Sequence, residues 1–105
     1  MDAVFKALAD RSRRRLLDRL RARNGQTLAE LSAQMDMTRQ AVSKHLAILE
    51  DAHLIASLRR GREKEHYLNP APIFEIADRW IDKFERGKLR ALTDLKQKLE
   101  GKSDE

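Results

Sequence analysis

Two helix starts stand close together in the middle of this chain, and they limit its fold more than anything else does. Thr27-Leu28-Ala29-Glu30 has the spacing of a capping box, with a hydroxyl at the cap and a carboxylate three residues on. Thr38 is a second cap, ahead of a helical run that reaches Asp51. Asp36-Met37 marks the turn between them. So short a separation leaves room only for two short helices, over about 27–35 and 38–51, joined by a tight turn. Leu28, Leu31, Met35, Met37, Val42 and Leu46 fall where such helices touch each other and the body.

The second helix begins with short polar and cationic side chains. A helix N-terminus presents backbone amides to a phosphate, and side chains there can reach base edges in the major groove. Arg39 and Gln40 can form paired hydrogen bonds with guanine and adenine respectively; Thr38, Ser43 and Lys44 suit phosphate contacts. Taken alone, this pattern is equally a helical hairpin with a polar face.

The flanking segments complete an expected architecture. Val4, Phe5 and Leu8 are spaced for a first helix over 2–9. Asp10 caps a second helix over 11–23, with Leu16, Leu17 and Leu20 inward, and Asn24-Gly25 ends it. Beyond the helix-turn-helix, Leu54–Leu58 and Glu63–Leu68 read as two short strands around Arg60-Gly61-Arg62, a wing over 54–69. After Asn69-Pro70-Ala71-Pro72, the apolar residues Ile73, Ile76, Trp80, Phe84, Leu92, Leu95 and Leu99 predict one long amphipathic helix over 72–100. Gly87 is a place for it to bend or divide, and 101–105 is expected to be a frayed tail. The predicted fold is therefore mainly α with a small β-hairpin, in the order α-α-α-α-β-β-α, as one domain over 1–100.

Charge supports a polyanionic partner for part of the chain. Residues 1–69 hold 14 Lys and Arg against 9 Asp and Glu, and residues 70–105 hold 8 of each, so the whole net charge of +5 lies in the first segment. The wing tip holds Arg59, Arg60, Arg62 and Lys64, softened by Glu63 and Glu65. Cations crowded at one turn repel each other unless an anion joins them, and a wing can lie along neighbouring DNA. Arg11, Arg13, Arg14, Arg15, Arg19, Arg21 and Arg23 make the second helix basic too; they either touch backbone phosphates or coat the surface and pair with acids.

Several function classes drop out. With no cysteine there is no disulfide, thiolate metal site or thiol switch. No nucleophile motif or Gly-rich phosphate loop is present, so no enzyme and no cofactor are expected. No apolar stretch reaches a membrane-spanning length, and the N-terminus lacks a signal-peptide pattern, so the expected location is cytoplasmic.

The combination resembles the ArsR/SmtB family of winged-helix repressors. Phe5-Lys6-Ala7-Leu8-Ala9-Asp10-Arg11-Ser12-Arg13 is similar to that family's "ALADPTR" opening. The run from Thr38 to Leu49, containing Ala41-Val42-Ser43-Lys44-His45-Leu46, is similar to its recognition segment. The likeness continues through Leu54-Ile55, Arg60-Gly61-Arg62 and His66-Tyr67-Leu68-Asn69 and covers about residues 2–100.

That resemblance implies a DNA-binding repressor that is a homodimer. It implies an interface of Val4, Phe5, Leu8, Ile73, Ile76, Trp80 and Phe84, with Leu92 a further candidate, and a palindromic operator on double-stranded DNA. His45 joins the DNA-binding candidates because the family often has His there; packing is its other role.

The chain departs from the family's metal sensors. Thr27 and Ala29 stand where some relatives have cysteines, and no His follows His66 to supply a zinc site on the last helix. Glu75, Asp78, Asp82 and Glu85 read as a solvated face pairing with Arg79, Lys83 and Arg86. A metal-independent regulator is expected, with an unidentified small-molecule or protein effector or none. The alternatives are a winged-helix module that binds protein, or a metal-responsive repressor with an unrecognised site. Asp36 stands where the family's turn has Gly, and because Asp tolerates a left-handed backbone better than most residues the turn can survive; Ser32 replaces an Ala at a close helix contact, and its small size keeps that contact possible.

Overall fold

The structure, a computed structural model, describes residues 1–81 and 86–103. The chain divides into two compact units, Met1–Pro72 and Ile73–Glu105. The first runs α1 (Asp2–Leu8), α2 (Arg11–Ala22), β1 (Gln26–Thr27), α3 (Leu28–Ala33), α4 (Arg39–Asp51), β2 (Ile55–Arg60) and β3 (Glu63–Leu68). Two further helices follow, α5 (Ala71–Ile81) and α6 (Arg86–Ser103). The architecture is mainly α with a small antiparallel sheet, a winged helix-turn-helix.

The expected caps form. Asp10 accepts the Arg13 backbone N–H at 3.0 Å. Thr27 and Glu30 make both reciprocal bonds of the capping box, each 3.2 Å. Thr38 accepts the Ala41 N–H at 3.1 Å. The apolar stripes turn inward as their spacing requires. Leu16, Leu20, Leu31, Val42, Leu49 and Leu54 are fully buried, with Leu17, Met35, Leu46 and Ile55 nearly so. At about 2 kcal/mol for each buried aliphatic side chain, this shared core is the main force holding α2, α3 and α4 together.

Three details differ from the sequence expectations. First, the sheet has three strands in the order β1-β3-β2 rather than two. Gln26 and Thr27 pair with His66 and Glu65, a bridge too short to show any period in sequence. Second, the turn after α3 does not use a left-handed backbone at Asp36; among the described residues the non-glycine with positive φ is His53, at 60°. Third, α6 continues through Ser103, so helix occupies most of the expected tail. Residues 82–85, where one continuous last helix would be decided, lie outside the described residues, as does the candidate Phe84. Gly87 falls in the first turn of α6.

His53 ends α4 in a Schellman motif. Its N–H donates to Glu50 O at 2.9 Å and the Leu54 N–H donates to Leu49 O at 3.0 Å, while Leu49 and Leu54 are both fully buried. The exit from α2 is sealed differently. Gly25 takes φ +80°, and the Tyr67 ring packs where its side chain would be. Next to it Gln26, 1% exposed, donates its amide to Arg19 O at 3.0 Å and Arg23 O at 2.7 Å and accepts from the Gln34 amide at 2.6 Å. Its own carbonyl faces His66 Nδ1 at 3.0 Å, so that nitrogen carries the proton.

Two substitutions test these reliefs and strains by chemical denaturation. Gln26→Ala removes the donor to Arg19 O and Arg23 O and the acceptor of the Gln34 amide, with an expected loss of about 2 kcal/mol. His53→Gly removes the left-handed penalty, with an expected gain of about 1 kcal/mol. A loss at His53→Gly would mean that the ring makes a compensating contact.

Candidate nucleic-acid interface

The first turn of α4 and the wing lie on the same compact unit, and the orientation of α4 is held from behind. Arg13 donates Nε to Ala7 O at 2.9 Å and Nη2 to Lys6 O at 3.1 Å, and its Nη1 meets His45 Nδ1 at 3.2 Å. One guanidinium thus joins the end of α1 and the middle of α4 from its seat on α2. Asp10, at the cap of α2, lies in the same cluster. Its carboxyl is held below its ordinary value of 3.8, first by the Arg13 backbone N–H; burial, the next largest effect, opposes this, and the charges of Arg13 and His45 and the Ser12 backbone N–H lower it further.

This cluster explains His45. The sequence placed it among DNA-contact candidates; in the structure it is half-buried, with one ring nitrogen committed to Arg13. Arg13 was indistinguishable in sequence from the six other arginines of its helix. Only the fold turns it inward, whereas Arg11, Arg14 and Arg15 stay exposed.

The outward ridge of α4 is Gln40, Ser43, Lys44 and Ala47, all exposed, at i, i+3, i+4 and i+7. A major groove accepts such a ridge. Ala47 went unremarked in sequence because an exposed alanine carries no polar signal, but its methyl suits contact with the thymine methyl. Thr38 and Arg39 are exposed beside the ridge, the Thr38 hydroxyl oxygen already accepting a backbone N–H.

The wing sorts its charges by face. In the β2–β3 register Arg60 opposes Glu63, and Arg60 Nε bonds Glu65 Oε1 at 2.8 Å. Arg59 opposes Lys64, like against like, on the other face. That second face also carries Ser57 and His66, and the Ser57 hydroxyl donates to Glu50 of α4 at 2.7 Å, which turns it toward α4. Gly61, at φ +62° with open space around it, makes the tip. Of the four wing cations read from sequence, then, Arg60 is paired within the wing, Arg59 Nε reaches Gly61 O at 3.4 Å, and Arg62 and Lys64 make no hydrogen bond or ion pair among the described residues.

The implied interface residues separate. Val4 is 8% exposed and part of the core, and Leu8 is half-buried. Phe5 (45%), Ile73 (40%) and Trp80 (43%) stay substantially exposed, and Ile76 is half-buried. Phe74, 63% exposed, lies beside them in sequence and was not among the candidates. Arg79 places its guanidinium 5.7 Å from the Trp80 ring centre, rather than belonging simply to a face of carboxylate pairs. Among the described residues no group of three or more His, Asp or Glu gathers as a metal site would, and no helix is long and apolar enough to cross a membrane.

Comparison with known proteins agrees with this geometry. A helix-turn-helix domain family matches residues 8–57. The chain is 42% identical over 87 residues to the HTH-type transcriptional regulator YuzN of Bacillus subtilis, covering 77% of this chain and 95% of that one. It is 30% identical over 84 residues to the transcriptional repressor SdpR of the same organism, covering 80% and 91%. Among solved structures, an ArsR-like transcriptional regulator from Rhodococcus sp. RHA1 superposes with a TM-score of 0.72 at 31% identity, covering 95% of this chain and 90% of that one.

The Asp10 cluster gives a pH prediction. A carboxyl with a depressed folded pKa adds stability above its unfolded value, and that stability is lost as pH falls below about 3.8 toward the folded value. Asparagine caps a helix as well as aspartate. Asp10→Asn is therefore expected to match the native chain within a few tenths of a kcal/mol at zero-charge capping cost, and to flatten the acid limb of a stability–pH curve; an unchanged acid limb would remove Asp10 from the linkage.

Proposed function

The chain belongs to the ArsR family of winged helix-turn-helix transcriptional regulators, and we propose that it acts as a homodimeric repressor that reads a palindromic operator on double-stranded DNA. It is a regulator and not an enzyme. The observation that carries the reading is the pairing of two surfaces on one unit: the outward ridge Gln40, Ser43, Lys44 and Ala47, and the cationic wing face beside it. In this assignment the ridge meets base edges in the major groove, with Gln40 the reader of adenine, and the wing meets backbone.

The dimer is supported by the exposed apolar residues Phe5, Ile73, Phe74, Trp80 and Ile81, which a second copy would remove from water. A two-fold axis then presents two α4 helices to successive major grooves. The action is metal-independent: Thr27 and Ala29 offer no thiolate and the chain has no cysteine. The release signal is an effector other than a thiolate-bound metal, or a change in the amount of protein. Its place of action is the cytoplasm, with the chromosome.

Selection from a random duplex pool checks this directly. The expected product is an inverted repeat with half-site centres about 10 bp apart, whose base preference relaxes in Gln40→Ala. Recovery of no preferred sequence at moderate salt would sink the proposal. Phe74→Glu is expected to keep the helical circular dichroism, shift sedimentation from dimer to monomer, and weaken operator binding at least tenfold. Zinc or another divalent ion that binds stoichiometrically and releases DNA would overturn metal independence.

A further inference from the structure

A groove of about 440 Å³ opens between α4 and the wing. Leu28, Ala29 and Leu46 supply apolar wall; Arg39, Arg62 and Lys64 supply its cations. None of those three cations makes a hydrogen bond or ion pair among the described residues. Arg60, by contrast, is paired with Glu65. The register adds a second, independent observation: Lys64 faces Arg59 directly across the strands, on the wing face that Ser57 ties to Glu50 of α4. Like charges directly opposed destabilise a strand pair, so this face is built at a cost that a bound anion would relieve.

Glu50 and Glu63 also border this groove; the Glu50 carboxylate already accepts the Ser57 hydroxyl, and the register puts the Glu63 side chain on the Arg60 face of the wing. Arg39, Arg62 and Lys64 against these carboxylates leave a net positive charge, enough to hold a singly charged anion. A phosphodiester of the DNA backbone has that charge, and it lies beside any helix seated in the major groove.

We propose that Arg39, Arg62 and Lys64 together seat one backbone phosphate in this groove, making Arg39 a phosphate-holding residue and not a reader of guanine. The inference rests on the DNA-binding reading above and deepens it. A phosphate held jointly by helix and wing fixes how far α4 slides along the groove, and leaves base readout to Gln40, Ser43, Lys44 and Ala47. It also corrects the sequence assignment at a second point: Arg60, paired on the opposite face, is not part of the seat.

The test uses the full chain, with fluorescence anisotropy on the selected operator and on a scrambled duplex of equal length from 50 to 200 mM salt. Arg39→Gln is expected to weaken both complexes by the same factor, about tenfold, and to lower the slope of log affinity against log salt by about 0.9, with base preference unchanged. Arg62→Gln should do the same. Because both side chains serve one phosphate, the double variant should lose about 0.9 of slope and not about twice that. Thermal melts show whether each variant folds; Arg39 and Arg62 are exposed, and unaltered melts are expected.

A change of preference at one base pair in Arg39→Gln, with the slope intact, would restore Arg39 as a base reader and overturn the proposal. A slope loss of about 1.8 in the double variant would mean two separate phosphates and overturn it as well. Inorganic phosphate at constant ionic strength is expected not to displace DNA. Displacement that disappears in Arg39→Gln would assign the groove to a free anion instead. Gln40→Ala separates the two levels: altered preference with an unchanged slope leaves the DNA-binding reading standing whatever Arg39 does, while no preference in any variant takes both down.

Discussion

A single buried amide coordinates most of this small fold. Gln26 sits where α2, α3 and the sheet converge, and its side-chain amide and backbone carbonyl are spoken for: by Arg19 O within α2, Arg23 O at its cap, the Gln34 side chain and the ring of His66. A buried polar group that lost those partners would cost about as much as a large core truncation. The arrangement therefore has little freedom to relax in parts. It fixes the end of α2, the start of the helix-turn-helix and the inner strand of the wing relative to one another. The separation between α4 and the wing, on which any joint grip on DNA depends, follows from it.

Arg13 plays the corresponding part at the other side of α4. The body faces of α4 are apolar, and apolar packing alone tolerates rotation and sliding better than directional bonds do. The guanidinium fork between Ala7 O, Lys6 O and His45 adds direction. With Leu46 and Leu49 buried beneath it, α4 has one orientation, and its ridge of Gln40, Ser43, Lys44 and Ala47 points outward as a result. The Schellman turn at His53 then sends the chain straight into β2, so helix and wing are joined by only three residues, Ala52 to Leu54.

Much of this was legible in the chain because it rests on local chemistry. Asp10, Thr27 and Thr38 name their own helix starts through side-chain bonds three residues long, and the leucine stripes name the buried faces through period alone. Gly61 marks the wing tip for the same local reason. What could not be read involves partners distant in sequence. The two-residue strand β1 exists only because β3 comes back to it forty residues later. The left-handed residue proved to be His53 and not Asp36, since the tight α4–β2 exit demands it and the turn after α3 does not.

The same division separates the charged residues. By itself the sequence determined that a helix-turn-helix with a basic wing would form, since caps, periodicity and turn residues act within a few positions of themselves. It also determined the excess of cations in the first 69 residues. Only the tertiary structure decided what each cation does: Arg13 to the interior, Arg60 to Glu65, and Arg39, Arg62 and Lys64 to one unpaired groove. A charge written in sequence has no address until the fold places its neighbours, because an ion pair or a shared anion is decided by a few ångströms of distance between segments that the chain order keeps apart.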